Sequence, residues 1–294
     1  MHKNILFDTD IGTDIDDALA LVMLKASKKI NLIGVSTVYG PSLVRAKVAL
    51  TLLDALGDQT TPVIAGDEET LSGNTVWLSG KEADMVASSL KPIKHSLVEF
   101  VDKQFENLLI VATGPLTNVA RLIDSSKTKK KIQSLVIMGG VLADPGLPRF
   151  EHNFAADPIA AKKVIESDIP VILVPLNLTS QFQLTDEELK SLSIVQSPSG
   201  KLIARWLNNW LETTRSLPKN NFFYNTVFLH DPIAVAVAQQ MPCKKKIMSV
   251  VVDAKNGEVL LDKRGQKIKV VTGVENQLVE EVKITIIEYL RNSL

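Results

Sequence analysis

Short, continuous apolar runs separated by helical segments constrain this chain more than any other feature. Leu32–Val38, Leu108–Gly114 and Pro170–Leu178 are apolar over most of their length instead of alternating with polar residues. Such strands are buried on both faces, which is typical of a parallel sheet with helices above and below it. The sequence therefore predicts an α/β fold, with an open, mostly parallel, Rossmann-like β-sheet in a single domain spanning residues 1–294.

Further strands and helices follow from the same patterns. The other predicted strands are Asn4–Phe7, Pro62–Gly66 and Ser134–Gly140, and the predicted helices are Asp16–Ser27, Leu43–Leu56, one starting near Leu116, Asp157–Ser167, Gly200–Leu217 and Glu275–Leu290. The pair Asn256-Gly257 between apolar segments predicts a β-hairpin. In open parallel sheets, ligands bind outside the carboxyl ends of the strands, so we expect the active site there.

Composition narrows the classes of partner. The 294 residues include 33 Lys and Arg against 33 Asp and Glu, and this balance argues against a nucleic-acid binder with a broad basic surface. One cysteine, Cys243, allows no disulfide within the chain and fits a reducing compartment. No apolar run reaches the roughly 18 residues of a membrane span, and the apolar stretch Ile5–Phe7 is too short for a signal peptide. We therefore expect a cytoplasmic protein without a membrane or nucleic-acid partner.

The stretch between the first strand and the first helix is unusually acidic. Asp8, Asp10, Asp14, Asp16 and Asp17 fall within ten residues. One or two of them would be ordinary turn formers or helix caps. Five like charges repel one another and need a compensating cation, and carboxylate oxygens favour Ca²⁺ or Mg²⁺. The stretch therefore predicts a site for a divalent cation.

Two calcium or magnesium motifs were compared with this stretch. An EF-hand loop counted from Asp8 would need Gly at Thr13 and Glu at Leu19, and a strand precedes it, so that interpretation is rejected. The D-x-D at Asp8 and Asp10 also resembles the nucleophile loop of phosphatases of the haloacid dehalogenase class. That class needs a later lysine and an acidic pair, which does not follow Val136–Gly140. The phosphatase remains an alternative hypothesis.

A third resemblance covers most of the chain. Asp8–Leu21 resembles the N-terminal acidic signature of the inosine–uridine-preferring nucleoside hydrolases. Val111–Ala120, Val136–Gly140, Phe150–Ala161 and Leu229–Ala236 are similar to four further motifs of that family, in the same order. The resemblance implies hydrolysis of the N-glycosidic bond of a ribonucleoside to ribose and free base. It also implies Ca²⁺ as cofactor, a small nucleoside as substrate and a homo-oligomer, either a dimer or a tetramer.

The resemblance implies the metal site residue by residue. Asp10 would be a Ca²⁺ ligand and the general base for the attacking water. Asp17 would be a Ca²⁺ ligand that also meets the ribose diol, and Asp231 the distant ligand. A backbone carbonyl would be the remaining ligand from the protein, and we place it at Val111. Without the resemblance, Asp231 before Pro232 would be read as a helix N-cap.

The same resemblance implies the substrate site. Asp16, Glu151 and Asn153 would bind ribose hydroxyls. His230 would protonate the departing base or line its pocket. Asn177 would line the pocket or merely cap a loop.

The sequence departs from the family pattern at several positions. The acidic stretch is two residues longer than usual, which leaves Asp14 without an assigned role. Pro41 stands where the family usually has Asn, an amide that helps to place the attacking water, and Trp77–Asp84 replaces a His-Gly element near the base pocket. These departures affect water placement and base recognition, so the base is not predicted. They also leave open a catalytically weak homologue that binds a nucleoside or ribose in a metal-dependent way.

Overall fold

A computed structural model of the chain describes residues 3–74, 82–93, 96–104 and 106–293. Most of the predicted base-pocket segment Trp77–Asp84 therefore lies outside the described residues. The strands are β1 (Lys3–Thr9), β2 (Ile30–Thr37), β3 (Val63–Ala65), β4 (Leu108–Ala112), β5 (Ile132–Met138), β6 (Val171–Val174), β7 (Cys243–Val252), β8 (Val259–Leu261) and β9 (Gln266–Val274). The helices are α1 (Asp16–Ala26), α2 (Ser42–Ala55), α3 (Leu97–Gln104), α4 (Thr117–Asp124), α5 (Ser126–Lys129), α6 (His152–Ala156), α7 (Pro158–Ile165), α8 (Leu176–Thr179), α9 (Asp186–Ser193), α10 (Pro198–Arg215), α11 (His230–Ala238) and α12 (Asn276–Asn292), with a 3₁₀ turn at Glu82–Met85.

All nine described strands form one sheet in the order β3-β2-β1-β4-β5-β6-β9-β7-β8. Strands β1 to β6 and β9 pair in parallel, whereas β7 runs antiparallel to both β9 and β8. The predicted α/β class and its mostly parallel sheet are confirmed.

The order of the strands reverses between β1 and β4. From β1 the chain adds β2 and β3 on one side, then returns and adds β4 on the other side. The loops after β1 and β4 therefore leave the sheet in opposite directions, and a crevice forms between them. The acidic stretch follows β1, so the topology places it at this crevice.

Alternate residues of the strands face two separate cores. Phe7 on β1 packs with Leu19 of α1 and Ile233 of α11 on one face, while Leu6 packs with Val119 of α4 on the other. Every described helix is too short or too polar to cross a membrane.

The C-terminal part departs from the prediction. A β7–β8 hairpin is present, but residues 253–258 connect it, with Gly257 at φ 76° and its N–H bonded to the Asp253 carbonyl. Strand β9, inserted between β6 and β7, was not predicted, although buried Ile268 and Val270 alternate with exposed Lys267 and Lys269. The predicted strand Pro170–Leu178 ends at Val174, since Pro175 has no N–H to extend the ladder and α8 begins at Leu176.

Candidate active site

The acidic stretch forms a turn that carries β1 into α1. Gly12 has φ 118°, a conformation that side-chain-bearing residues rarely adopt, and it allows the chain to turn back above the strand end. Asp16 and Asp17 occupy the first turn of α1, where the positive end of the helix dipole favours carboxylates. Both carboxylates are nevertheless buried.

Three of the aspartates meet directly. One carboxylate oxygen from each of Asp14, Asp16 and Asp17 lies within 4.8 Å of the others, and Asp14 is the half-exposed member. Asp10 and Asp231 complete the group, because the charges of Asp16 and Asp17 act on Asp231 and that of Asp10 acts on Asp17. We call these five residues the acidic cluster. The two residues that lengthen the loop thus bring Asp14, which the sequence left without a role, into it.

Burial raises the pKa values of Asp10, Asp16, Asp17 and Asp231, and the neighbouring carboxylates raise them further. Asp16 Oδ1 is buried and has no hydrogen-bond partner among the described residues. Oxygen donors, uncompensated negative charge and an orphaned carboxylate oxygen are the properties that a hard divalent cation requires. The cluster therefore fits the predicted metal.

Threonines from two strand ends orient Asp17. The Thr9 and Thr113 hydroxyls both donate to Asp17 Oδ1, the latter at 2.8 Å. Val111, the predicted carbonyl ligand, lies within β4 in register with Phe7 and Val136. Thr113, one residue beyond the end of β4, is the member of this segment that reaches the acidic cluster.

Gly114 allows the β4 end to approach Asp10 closely. A Cβ atom at Gly114 would lie 3.0 Å from Asp10 Oδ1 and 2.9 Å from a methyl group of Val38. Any side chain would therefore push the Asp10 carboxylate out of position.

A fully buried arginine supports the acidic loop from below. Arg45 of α2 donates from Nε to the Tyr39 carbonyl at 2.7 Å, and from Nη1 to the carbonyls of Asp10 and Ile11. Its charge lowers the pKa of Asp10 against the effect of burial. Sequence reasoning missed Arg45, because an arginine within an apolar helix carries no local signal of what it will meet.

Asp8 has a different role from the rest of the stretch. Its Oδ1 accepts hydrogen bonds from Ser36 at 2.5 Å and Asn118 at 2.7 Å, and burial raises its pKa to about 7. Asn118 also donates to the Thr37 carbonyl and accepts from the Asp67 N–H. Asp8 thus ties β1 to β2 and α4, as expected for a residue that orients the loop.

Asp231 does not cap a helix. Helix α11 begins at His230, its N-cap is Leu229, and no side chain caps it. Asp231 is inside the first turn, only 3% exposed, and it faces the acidic loop. The interpretation of Asp231 as a helix N-cap is therefore wrong, and Asp231 belongs to the acidic cluster instead.

His230 lies beside the cluster in a fixed orientation. Its Nδ1 is 2.8 Å from the Thr179 hydroxyl, and its ring stacks on Phe228 with centroids 4.8 Å apart. The Nε2 atom is buried without a partner among the described residues. Burial lowers the pKa of His230 to about 4, so the ring is uncharged at neutral pH.

The predicted ribose-binding pair Glu151 and Asn153 begins α6. Both Glu151 oxygens accept backbone N–H groups, from Asn153 and Gly140 at 2.8 Å and from Phe154 at 3.1 Å. The Asn153 amide donates to the Thr113 carbonyl at 2.8 Å. The pair thus joins the β4 and β5 ends, and the ribose contacts stay a prediction.

Asn177 and His152 lie around the periphery of the site. The Asn177 amide exchanges two hydrogen bonds with the Leu142 backbone, at 2.8 and 3.0 Å, which is the loop-capping alternative. His152 is exposed, meets the Tyr39 ring edge to face at 5.7 Å, and its charge acts on Asp10. Sequence reasoning treated His152 as structural, and its role stays a prediction.

A small cleft opens between the acidic cluster and the loop before α11. Its lining consists of Asp14, Ile15, Asp16, Trp210, Phe223, Phe228 and His230. The Trp210 indole N–H donates to the Thr226 carbonyl at 3.0 Å, which leaves its ring along the cleft. Aromatic rings and carboxylates thus line one cleft.

The family model for inosine-uridine preferring nucleoside hydrolases matches residues 5–281. The chain belongs to this family. It is therefore an N-glycosyl hydrolase, and the family resemblance in the sequence is confirmed.

Two curated proteins illustrate the range of relatives of this hydrolase. Uridine nucleosidase 1 of Arabidopsis thaliana is 31% identical over 259 residues, covering 81% of this chain and 74% of that protein. The pyrimidine-specific ribonucleoside hydrolase RihA of Shewanella sp. (strain MR-7) is 30% identical over 251 residues, covering 80% and 77%.

The fold is shared with solved structures. The purine-preferring ribonucleoside hydrolase from Gardnerella vaginalis superposes with a TM-score of 0.85 at 26% identity, covering 98% of the hydrolase and 99% of that chain. Relatives with pyrimidine and purine preferences thus share this architecture, so the fold alone does not select the base.

The family assignment also settles the phosphatase alternative. Asp8, its required nucleophile, is 1% exposed and bonded to Ser36 and Asn118 beneath the acidic loop. No attacking position remains for it, and the hydrolase does not belong to that class.

Proposed function

We propose that the hydrolase cleaves the N-glycosidic bond of a ribonucleoside with the help of Ca²⁺, and that Asp10 activates the attacking water. The observation that carries this proposal is the acidic cluster, a set of five carboxylates at the crevice of the sheet with an orphaned oxygen and an adjoining cleft. Carboxylates packed this closely repel one another unless a cation joins them.

Asp10, Asp17 and Asp231 would hold the ion. Asp17 is preoriented by Thr9 and Thr113, and Asp10 is fixed against Gly114. A bound Ca²⁺ would lower the pKa of a water and orient the ribose diol. The backbone carbonyl of Val111 stays the proposed further ligand, and Thr113, two residues along the chain, orients Asp17 through its hydroxyl.

The residues of the chain perform the remaining steps. Asp10 accepts the proton of the water as its oxygen attacks C1′, and Arg45 beneath it keeps the carboxylate a usable base by lowering its pKa. Asp16 and Asn153 bind ribose hydroxyls, and Glu151 holds Asn153 in place through the N-terminus of α6. The carboxylates also stabilise the positive charge that develops on the sugar.

His230 would act on the departing base as a lining group. Thr179 and Phe228 fix its ring, and its unpartnered Nε2 lies at the cleft. An uncharged imidazole can hydrogen-bond a base, but it is a poor proton donor at neutral pH. This supports the pocket-lining alternative over protonation of the base.

A reducing-sugar assay over a panel of nucleosides, with and without chelator, tests the proposal. We expect ribose release that chelation abolishes and Ca²⁺ restores. Release that persists undiminished after exhaustive chelation would refute the metal requirement.

Binding of a nucleoside in the presence of Ca²⁺ without any release of ribose would instead identify the weak, ligand-binding homologue. Pro41 favours testing this outcome, because it is the N-cap residue of α2 and lacks the amide that the family uses to place water.

We further propose a homo-oligomer, a dimer or a tetramer, that works in the cytoplasm. The exposed Ile247 and Leu261 at the β7–β8 end of the sheet support a contact between copies, and the single cysteine fits a reducing compartment. Light scattering at micromolar concentration tests the oligomeric state.

A further inference from the structure

The cleft beside the acidic cluster has an unusual combination of walls. Trp210 and Phe223 meet edge to face at 6.4 Å, and Phe223 meets Phe228 in the same way at 6.1 Å. The carboxyl-bearing residues Asp14 and Asp16 line the same cleft. Aromatic faces and carboxylates share one electrostatic preference, since both attract positive charge.

Two buried polar atoms at the cleft have no protein partner among the described residues. His230 Nε2 and Asp16 Oδ1 are unpaired, and these residues are only 7% and 5% exposed. Buried polar atoms are normally paired, so unpaired ones that line a cleft indicate a ligand. The site is thus built for an occupant and is more than a group of acidic residues.

The charge balance exceeds what one divalent ion neutralises. The acidic cluster has five carboxylates, and the positive group that contacts it, Arg45, bonds the loop from the opposite side through backbone carbonyls. Among the residues that the structure describes, none of the side chains along the cleft is a lysine or arginine. Asp14, the half-exposed member of the acidic cluster, lies close enough to Asp16 and Asp17 to share an ion with them, and it lines the cleft without an assigned metal or ribose contact.

We propose that the cleft selects N-ribosides whose base is a positively charged aromatic ring, such as a pyridinium riboside, and that Asp14 is the residue that determines this specificity. This inference rests on the proposed function. The ring would lie along Trp210 and Phe223 with its charge facing Asp14, because Phe228 already stacks on Phe222 and His230.

The reaction on such a substrate balances without an acid. The bond between C1′ and the ring nitrogen breaks, both electrons go to that nitrogen, and a neutral pyridine leaves. Water forms the new bond to C1′, and its proton passes to Asp10 and then to solvent. The leaving group needs no proton, which agrees with a His230 ring held only by Thr179 and Phe228.

The test compares nicotinamide riboside with uridine and inosine on the complete Ca²⁺-loaded protein. We expect nicotinamide riboside to bind, as a competitive inhibitor, with a Ki about tenfold below those of uridine and inosine, the effect of one cation–π and charge contact. Binding is compared because a neutral pyridine leaves faster than uracil or hypoxanthine whatever the cleft contributes. The reduced, uncharged dihydronicotinamide riboside has nearly the same shape, and we expect it to compete about tenfold more weakly.

Asp14→Asn removes the charge and keeps the size of the side chain. We expect it to lower kcat/KM for nicotinamide riboside several-fold more than for uridine, and to erase the difference in affinity between the charged and reduced forms. The matched control Glu187→Gln removes an exposed carboxylate of α9 and should change neither ratio.

Three results would overturn the inference. Uridine cleavage with no preference for the charged riboside would refute it while leaving the proposed function intact. An equal loss on both substrates together with weaker Ca²⁺ binding by calorimetry would make Asp14 a metal ligand instead. Failure to release ribose from any riboside would refute the proposed function, and equal affinity for the charged and reduced forms would then refute the inference separately.

Discussion

Asp58 is a buried carboxylate like those of the acidic cluster, but its surroundings in this hydrolase are the opposite of theirs. Asp58 receives the Lys25 ammonium at 2.5 Å, the Thr60 N–H and hydroxyl at 2.8 Å, and both donors of Thr61. Burial raises the pKa of Asp58, but these hydrogen bonds outweigh burial and hold the pKa below its ordinary value. Its charge is fully compensated by the protein.

The acidic cluster has more carboxylates and far fewer donors. Asp17 accepts two threonine hydroxyls, Asp16 retains an orphaned oxygen, and each carboxylate repels the others. Burial and repulsion act in the same direction there, and the pKa values rise. The difference shows that the protein compensates a structural carboxylate with its own hydrogen-bond donors, whereas the carboxylates of a ligand site are left uncompensated until the ligand binds.

Removing a carboxylate from the acidic cluster should separate activity from stability most sharply. We expect Asp10→Ala to lower kcat about a thousandfold or more, because the base and a metal ligand are lost. The thermal midpoint of the metal-free protein should rise, since one repelling charge is gone. Steady-state kinetics measures kcat and calorimetry measures the thermal midpoint. The isosteric Asp10→Asn should show the same two changes. A kcat equal to that of the wild type in either variant would show that Asp10 has no part in catalysis.

Arg45 belongs to the acidic region but behaves as a structural charge. We expect Arg45→Met to lower the free energy of unfolding by about 3 kcal/mol, since the loop carbonyls lose buried donors. Chemical denaturation measures this. Arg121→Met, which removes a half-exposed arginine 3.9 Å from Asp67, is the matched control and should stay within about 0.5 kcal/mol. An equal loss of free energy of unfolding in the two variants would mean that the burial of Arg45 does not strengthen its contribution to stability.

Protons and Ca²⁺ should both stabilise the folded protein at the acidic cluster, and they should compete for it. The folded metal-free protein has raised carboxylate pKa values and binds more protons than the unfolded chain, so its stability should rise as pH falls from about 8 toward 5. Ca²⁺ at about a hundred times its Kd should add roughly 2.7 kcal/mol at pH 8 and less at pH 5, where protons compete. Thermal scans measure both trends, and a stabilisation by Ca²⁺ that does not change with pH would contradict this account.

Asp58 should show the reverse sign. Its pKa is lowered on folding, so its contribution is present above the ordinary aspartate value near 4 and is lost as pH falls through the folded value. We expect Asp58→Asn to cost about 2 kcal/mol at pH 7 with kcat unchanged. Denaturation at pH 7 and pH 3 measures this, and a loss of the same size at both values would disprove the linkage.

His230→Ala should have the smallest effect. If the uncharged ring only lines the cleft, kcat/KM should fall about tenfold for both inosine and an activated aryl riboside. A role in protonating the base predicts a larger loss on inosine, whose base leaves poorly. The ratio of the two losses therefore decides between the alternatives for His230.

Much of the fold followed from local patterns. Continuous apolar strands and intervening helices predicted the parallel sheet, and local capping is visible as well, since a Thr185–Glu188 capping box begins α9. Strand β9 was not predicted, because its place in the sheet depends on its pairing with β6 and β7.

The sequence by itself determined that five aspartates follow a buried strand, and that such a set needs a cation. It also determined, through its motifs, the family. Only the tertiary structure decided which carboxylates meet, because Asp231 arrives from more than 200 residues away and Arg45 from the next helix. The acidic stretch, two residues longer than the family pattern, adds Asp14 to the cleft. Charge density is local in a sequence, but its compensation depends on contacts that folding alone creates.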